Sequence, residues 1–382
     1  MSTLNFSTQQ KAVTYLDFHY FTKSTYLLER GKMIHTATLR IKIAESAYWS
    51  MDRMIGIQSY QKNKTYIKKT EYLSEFGLVL YGKKISLPGN RMYYCADLFI
   101  NPAKLLGREQ VTDIYSASAF IEFEMEFNRR IKDYGLEFLP DLEDWKAHRI
   151  DYTYNVKTRY VSQYIKLLQK SDLRGYRLHL DNNNNRSMKR GSLYILNKSI
   201  TLNFYDKADQ LRKEGRLPEE ITEAMDIMRL EVQCHSRKLN GIKKKYDLES
   251  KSAIEFIRDP DMGADILRYY TKKITWNLPY MKKPSAIATI QKSRFKDQTK
   301  KDMVEIIEEI SQQYNRIDKV RTKNEKYGSK KMYKDQFKKL NLNPVTINKN
   351  TKGVSCGLES ISLLLENAIA EEQKEVPQKA TE

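Results

Sequence analysis

The sequence predicts an α+β fold: a central, largely antiparallel sheet with covering helices, followed by a small helical C-terminal module. Short segments rich in β-branched and aromatic residues dominate the first hundred positions. Farther along, alternating segments interleave with segments of helical period, and two of the alternating segments flank a turn at Asn197-Lys198. Beyond position 236 the apolar spacing is helical. Hairpins mixed with covering helices are typical of the α+β class.

The first half of the chain predicts four strands, then a helix, a strand and a second helix. Gly, Pro or polar clusters bound each of the four early strands, and the spacing of apolar residues changes to a helical period after position 115. The strands are predicted over 15–21, 38–43, 77–82, 92–100 and 149–155, and the helices over 115–134 and 158–173.

The second half begins with a run of four Asn residues at 182–185, which predicts a loop. A hairpin over 191–196 and 199–207 follows, then two short helices within 208–227, a strand over 228–235 and Lys-rich helices to 283. Near the end, helices are predicted over 292–314 and 333–342, the latter stopped by Asn343-Pro344.

These elements suggest three regions. Residues 1–283 would form one sheet-based domain, in which a β-rich part over 1–110 could be separable. Residues 284–370 would form the helical module, which serves either as a packing or dimerisation appendage or as a pair of DNA-reading helices. Residues 371–382 are charged and poor in apolar side chains, so the sequence predicts a disordered tail.

The composition points to a folded protein with a polyanionic partner. The 382 residues include 67 Lys and Arg against 48 Asp and Glu, a net charge of +19. Hydrophobic residues make up 40% and aromatic residues 11%, including 26 Tyr, which is too apolar for a disordered polycation. Such a charge on a folded chain favours nucleic acid as the partner.

The compartment follows from the cysteines and from the absence of long apolar runs. Cys95, Cys234 and Cys356 are scattered and odd in number, which disfavours a disulfide framework and a zinc knuckle and favours a reducing cytoplasm. The first residues lack the layout of a signal peptide, and no run approaches 18 apolar residues. We therefore expect a cytoplasmic protein with no membrane partner.

Three alternating strands separate an apolar side from a polar side, because successive side chains point to opposite faces of a strand. If the three strands share a sheet, two carboxylates, one phenol, one amine and one imidazole project from a single exposed surface. These five are Asp151, Glu231, Tyr205, Lys207 and His235.

This set of side chains suits phosphodiester chemistry. Two carboxylates from different strands, with His235 as a further candidate ligand, can hold Mg²⁺ or Mn²⁺. The Tyr205 hydroxyl can then attack phosphorus while Lys207 offsets the developing charge. Structural interpretations stay open beside it: cross-strand ion pairs of the carboxylates with Arg149 and Arg229, a tyrosine of the core or rim, and a surface histidine.

Five short motifs carry a family resemblance. In order and spacing, the chain resembles the replication initiators of filamentous phages and related plasmids, of the gene II/X type, over about residues 90–245. The motifs are NPAKLLG at 101–107, RID at 149–151, GSLY at 191–194, FYDK at 204–207 and RLEV at 229–232, and residues 333–344 look like that family's C-terminal segment.

The resemblance implies an endonuclease that nicks one strand of a duplex origin and stays attached to the 5′ phosphate through Tyr205. The 3′ hydroxyl would prime rolling-circle synthesis by a host polymerase and helicase, and the strand would later be rejoined. Asp151 and Glu231 would be metal ligands and Lys207 the charge stabiliser, with Asp206 included only if a bulge turns it inward. The His-hydrophobic-His triplet of many relaxase-like initiators is absent.

Two other functions stay open, a plasmid-mobilisation relaxase and a non-catalytic DNA-binding regulator. For any of the three, DNA would be bound mainly through its phosphates. The basic runs could equally be solvated faces. The predicted DNA-binding residues are Arg149, Arg186, Lys189, Arg190, Arg229 and Lys238.

Overall fold

The computed structural model describes residues 32–108, 112–116, 119–178, 191–312, 316–320, 329–355 and 357–374. The strand predicted over 15–21 and the loop predicted over 182–185 lie outside these ranges. So do three predicted DNA-binding residues, Arg186, Lys189 and Arg190, and also Cys356.

An 11-stranded antiparallel sheet organises the described residues and confirms the predicted α+β class. Its strand order is β2-β3-β4-β5-β1-β7-β11-β10-β9-β8, with β6 paired to β1, and β12 and β13 form a separate pair. The strands are β1 Lys32–Lys42, β2 Gln58–Lys62, β3 Thr65–Thr70, β4 Leu78–Leu87, β5 Arg91–Ile100, β6 Tyr115–Ser116, β7 Lys146–Lys157, β8 Arg177–Leu178, β9 Ser192–Leu196, β10 Ile200–Asp206, β11 Ile227–His235, β12 Tyr280–Met281 and β13 Gly357–Leu358.

The described ranges contain thirteen α-helices, seven of which come after β11 in the chain. They are α1 Glu45–Ser50, α2 Pro102–Leu105, α3 Phe120–Asp133, α4 Val161–Leu168, α5 Lys207–Lys213, α6 Pro218–Glu223, α7 Ser236–Lys245, α8 Ala253–Ile257, α9 Pro260–Thr275, α10 Lys283–Lys292, α11 Asp297–Gln312, α12 Ser329–Lys339 and α13 Ile361–Lys374.

Several boundaries differ from the sequence prediction, and three of them change the assignment of residues discussed above. The helix expected from Tyr115 begins at Phe120, because Tyr115–Ser116 pair with β1 as strand β6. The hairpin strand expected to reach Lys207 ends at Asp206, where α5 begins. The tail expected to be disordered from position 371 is helical as far as Lys374, the last described residue.

The apolar face of the sheet is covered by helices α7, α8, α9 and α13, all of which contact β7. Leu39, Ile150 and Leu230 are fully buried there. Gly263 lets α9 approach closely, because a Cβ at this position would lie 2.8 Å from Met33 Cβ and 3.0 Å from Tyr152 Cδ1. One glycine therefore sets how closely this helix packs on the sheet.

The C-terminal helices pack against the sheet and its helix layer. Tyr154 of β7 donates a hydrogen bond of 2.9 Å to the carbonyl oxygen of Ala368 in α13. Leu365 and Ile369 of α13 belong to the same buried hydrophobic cluster as Met33 of β1. The boundary predicted at 283 stays a prediction, and these contacts are the ones that would have to break if the module moved.

Two further features bear on the sequence predictions, the state of the cysteines and the length of the apolar helices. Cys95 and Cys234 are both buried and neither forms a disulfide. No helix in the described ranges is long and apolar enough to span a bilayer.

Candidate functional site: the polar face of the central sheet

The strand register brings the predicted site residues onto one face of the sheet. In β11, Glu231 lies opposite Thr153 of β7, and its neighbour Gln233 lies opposite Asp151. Arg229, two residues before Glu231, lies opposite Tyr205 of β10. Diagonal neighbours in a sheet are about 7–8 Å apart, so the two carboxylates and the phenol share one region, as the alternation predicted.

Asp151 is almost completely buried on this face, and one of its oxygens is left without a partner among the described residues. Its Oδ2 accepts hydrogen bonds from Thr36 Oγ1 and, at 2.9 Å, from Arg149 Nη2. Its Oδ1 has no hydrogen-bond partner among the described residues. Burial raises the pKa of Asp151, and the neighbouring Glu231 carboxylate raises it further, although Arg149 acts in the opposite direction.

Glu231 is held by a glutamine and a histidine. Gln233 Nε2 donates to Oε1 at 2.6 Å, and His35 Nδ1 lies 3.6 Å from Oε2. Burial alone would raise the pKa of Glu231, but the contacts with His35 and Gln233 and the charge of Arg229 lower it overall. Burial also lowers the pKa of His35, which keeps the imidazole neutral near pH 7.

His35 is the site residue that the sequence analysis missed. It sits where the register of β1 against β7 shifts between Ile34 and Thr36, which marks a β-bulge. The bulge places both His35 and Thr36 on the polar face, because two residues of β1 oppose one residue of β7. His35 is isolated in the sequence and precedes the strand predicted over 38–43, so the sequence gives no signal for this arrangement.

Tyr205 lies on the predicted face but is not on an exposed flank. Its side chain is 6% exposed and is hydrogen-bonded to Arg229. Burial raises the pKa of the phenol, and the Arg229 guanidinium opposes this shift. The prediction of an exposed surface was therefore wrong for the nucleophile candidate.

The cover over this part of the face comes from a distant segment. The carbonyl oxygen of Thr112 accepts hydrogen bonds from Asn155 Nδ2 at 2.8 Å and from Arg229 Nη2 at 3.2 Å. Arg229 Nε also donates to Asn155 Oδ1 at 2.8 Å. Arg229 is fully buried by these contacts. It could contact DNA only after the Thr112 segment moves, so its role in DNA binding stays a prediction.

Lys207 reaches the site from the first turn of α5 and not from the strand. Asp206 is the N-cap of this helix, and its side chain accepts a hydrogen bond of 3.0 Å from the Asp209 backbone N–H. That capping role replaces the metal-ligand role considered for Asp206. The buried Lys207 Nζ donates to Gln210 Oε1 at 3.0 Å. Burial, with the charge of Arg229 nearby, lowers the pKa of Lys207 to about 7.

His235 is on the same face but away from Glu231. Four residues along a strand span about 13 Å, and His235 Nε2 lies 3.0 Å from Thr201 Oγ1. His235 lies opposite Arg149 and is therefore a diagonal neighbour of Asp151, whereas His35 is the histidine beside Glu231. The role of His235 as a metal ligand stays a prediction.

The other two described residues predicted to bind DNA have intramolecular partners. Arg149 is bound to Asp151 and lies over the Phe99 ring at 5.9 Å. Lys238 of α7 lies 5.3 Å from the centre of the Tyr270 ring. Their role in DNA binding stays a prediction.

The oxygen donors on this face are of the type that a hard divalent cation prefers, but they are few. Within the described ranges, no group of three or more His, Cys, Asp or Glu residues is arranged to hold a metal ion. Asp151 Oδ1 and the Glu231 carboxylate are the oxygen donors present, and such cations commonly complete their coordination with water and substrate phosphate. A cation here would depend on those additional ligands.

Comparison of the chain with known protein families, with curated proteins and with solved structures finds no match.

Proposed function

We propose that the protein is a metal-dependent enzyme that nicks one DNA strand at a replication origin through Tyr205 and later rejoins the strand. The observation that supports this most is the unpartnered Oδ1 of Asp151, buried on the face that also carries Glu231 and Tyr205. The net charge of +19 supports a DNA substrate. We place this activity in a cytoplasm, with a host helicase and polymerase as partners.

The residues would divide the chemistry as follows. Asp151 and Glu231 would hold Mg²⁺ or Mn²⁺, which supplies Lewis-acid polarisation of the phosphate. The Tyr205 Oη–P bond forms as the P–O3′ bond breaks, and the 3′ oxygen takes a proton from water. The phenolic proton passes to water admitted with the DNA. Rejoining reverses these steps.

Arg229 and Lys207 are the positive groups near the phenol. Arg229 is hydrogen-bonded to Tyr205 and would stabilise the phenolate, whose formation burial otherwise disfavours. Lys207, whose pKa is about 7, would be recharged by a bound phosphate and would then offset transition-state charge. The cover at Thr112 must move for DNA to reach Tyr205, because the phenol is buried.

A cleavage assay tests the proposal. The full chain is incubated with Mg²⁺ or Mn²⁺ and with 3′-end-labelled single-stranded oligonucleotides from its own replicon. We expect a labelled covalent protein–DNA product and a modified peptide that contains Tyr205. Tyr205→Phe should abolish the product, and Asp151→Asn should reduce it at least about 100-fold.

Tyr134→Phe is the matched control. Tyr134 is also buried, and its hydroxyl has no hydrogen-bond partner among the described residues. This variant should keep full activity. A covalent product that persists in Tyr205→Phe would contradict the assigned nucleophile.

A non-catalytic DNA-binding regulator is the second candidate, and one observation favours it. Tyr205, Lys207 and Arg229 are all buried, as expected of a structural polar network. If the parent protein binds origin DNA but forms no covalent product with either metal, the regulator is the better interpretation.

A further inference from the structure

A groove of about 450 Å³ lies at the far end of the sheet, between helix α1 and strands β2 to β4. Its lining includes four aromatic side chains, two lysines and one aspartate. The residues that matter here are Trp49, Tyr66, Lys68 and Lys84. None of them belongs to the candidate site on the polar face.

Three large aromatic side chains of the groove are exposed to solvent, and Tyr60, at 44%, is one of them. Trp49 is 47% exposed and Tyr66 is 46% exposed. Exposed aromatic side chains gathered in one concave region are typical of a binding surface, whereas scattered single ones are ordinary.

The Trp49 ring is held in place before any ligand binds. Its Nε1 donates a hydrogen bond of 3.2 Å to Glu45 Oε1, which also accepts one of 2.6 Å from Tyr94 Oη. The ring packs edge-on against Tyr48, with the ring centres 5.1 Å apart. Such fixation lowers the entropy that a ligand must remove on binding.

The two lysines differ in how they are held. Lys68 Nζ lies 2.8 Å from Asp52 Oδ2 and donates to the Tyr48 carbonyl oxygen, so it is fixed beneath the rings. Lys84 Nζ lies 5.1 Å from the centre of the Trp49 ring and 5.9 Å from that of Tyr66. Within the described ranges, Lys84 forms no ion pair. Its amine can therefore leave the rings for a phosphate.

We propose that this groove binds single-stranded DNA, with bases stacked on Trp49 and Tyr66 and a phosphate bound by Lys84. Stacked aromatic side chains beside lysines are the usual means by which proteins hold single strands without sequence preference. The positive charge of the chain is complementary to this ligand. The choice of DNA rests on the proposed function, but binding here needs no catalysis.

The groove and the candidate site are separate. Strand β3 is five strand spacings from β11, roughly 24 Å. Tyr66 lies opposite Lys84, which lies opposite Tyr94, and alternation puts all three on the side of the sheet opposite Asp97 and Asp151. The groove would therefore hold a segment of DNA away from the scissile phosphate.

Tryptophan fluorescence tests this directly, because Trp145 and Trp276 are buried and Trp49 is not. The full chain is titrated with an oligo-dT of about 12 nucleotides without divalent metal, so that no strand is cut. We expect quenching of the Trp49 emission. Labelled oligo-dT should bind Tyr66→Ala about 5-fold to 150-fold more weakly by anisotropy, and Lys84→Gln should reduce the salt dependence by about one phosphate contact.

The matched control is Tyr72→Ala. Tyr72 is 48% exposed but does not line the groove, so its affinity should stay within about twofold of the parent. Circular dichroism melts establish that each variant folds. Unchanged affinity in both Tyr66→Ala and Lys84→Gln would overturn the inference, and so would equal quenching of Trp49 by inorganic polyphosphate, which has no bases.

The outcomes also separate this inference from the proposed function. If DNA quenches Trp49 but the protein never forms a covalent product, the groove still binds single-stranded DNA and the proposed nicking activity is wrong. If the parent nicks DNA normally but the groove variants bind DNA as tightly as the parent, the nicking activity is supported and DNA binding in the groove is wrong.

Discussion

Lys207 allows a quantitative test of the polar face, because the fold buries its amine near another cation. Its side chain is 5% exposed, and burial together with Arg229 lowers its pKa from 10.5 to about 7. In the unfolded chain the amine returns to a pKa near 10.4. Between these two values the unfolded state binds the proton that the folded state releases.

The sign and size of the effect follow from this difference. Since the unfolded state binds more protons, the free energy of unfolding should rise by up to about 1.4 kcal/mol per pH unit from pH 7 to pH 10. Below pH 7 both states are protonated and the contribution is constant. At pH 7, the lowered pKa of Lys207 therefore reduces the free energy of unfolding by about 4 kcal/mol, compared with an amine whose pKa does not change on folding.

Lys207→Met removes the amine and keeps most of the apolar stem. Allowing about 1 kcal/mol for the lost hydrogen bond to Gln210, we expect the variant to be more stable than the parent by about 3 kcal/mol at pH 7. The gain should shrink steadily as the pH approaches 10. Urea unfolding of both proteins at pH 7, 8 and 9 measures it, since the other titrating groups cancel in the difference.

Lys213→Met is the control on the same helix. The Lys213 side chain is 58% exposed and pairs with Asp209, so its substitution should give a small difference that does not change with pH. If the Lys207→Met difference is equally flat between pH 7 and pH 9, the amine is solvated and the reasoning from burial fails.

Four other substitutions test the surrounding structure. Asp97→Asn should lower the free energy of unfolding by about 3–5 kcal/mol, because it breaks a buried ion pair, whereas Asp151→Asn should change it by less than about 1 kcal/mol. Denaturant titrations at pH 7 compare the two, and equal losses would argue against the raised pKa of Asp151. Asp206→Ala should cost about 1 kcal/mol by removing the cap of α5, and an unchanged melting temperature would show that the cap contributes nothing. Tyr154→Phe should cost about 1 kcal/mol and speed proteolysis of α13, and cleavage at the parent's rate would show that this contact does not hold the helix.

The central strands could be predicted from the sequence because their two faces differ in polarity. In β7, β10 and β11 one set of alternate residues is apolar and packs on the helices, and the other set is polar. The β2–β3 hairpin was missed for the opposite reason. All five residues of β2 are exposed, so it shows no apolar alternation, and its turn uses Asn63 and Lys64 at positive φ without a glycine.

The candidate site could be predicted only as far as alternation reaches. Alternation assigns a side chain to a face, but it does not say what covers that face. The carbonyl oxygen of Thr112 buries Arg229 from 117 positions away in the chain. His35 enters the site through a bulge, which depends on pairing between β1 and β7 and leaves no periodic signal.

Two buried aspartates on the polar face of the sheet differ in their partners, and ion pairing accounts for only one of them. Asp97 is bound at both oxygens, by Arg40 at Oδ1 and by Arg40 and Lys83 at Oδ2, and its pKa is lowered even though burial opposes this. Asp151 is just as buried, yet Oδ1 has no partner among the described residues and its pKa is raised. An unsatisfied buried oxygen costs about 1–3 kcal/mol. A cation bound at this open oxygen and at Glu231 would recover that energy.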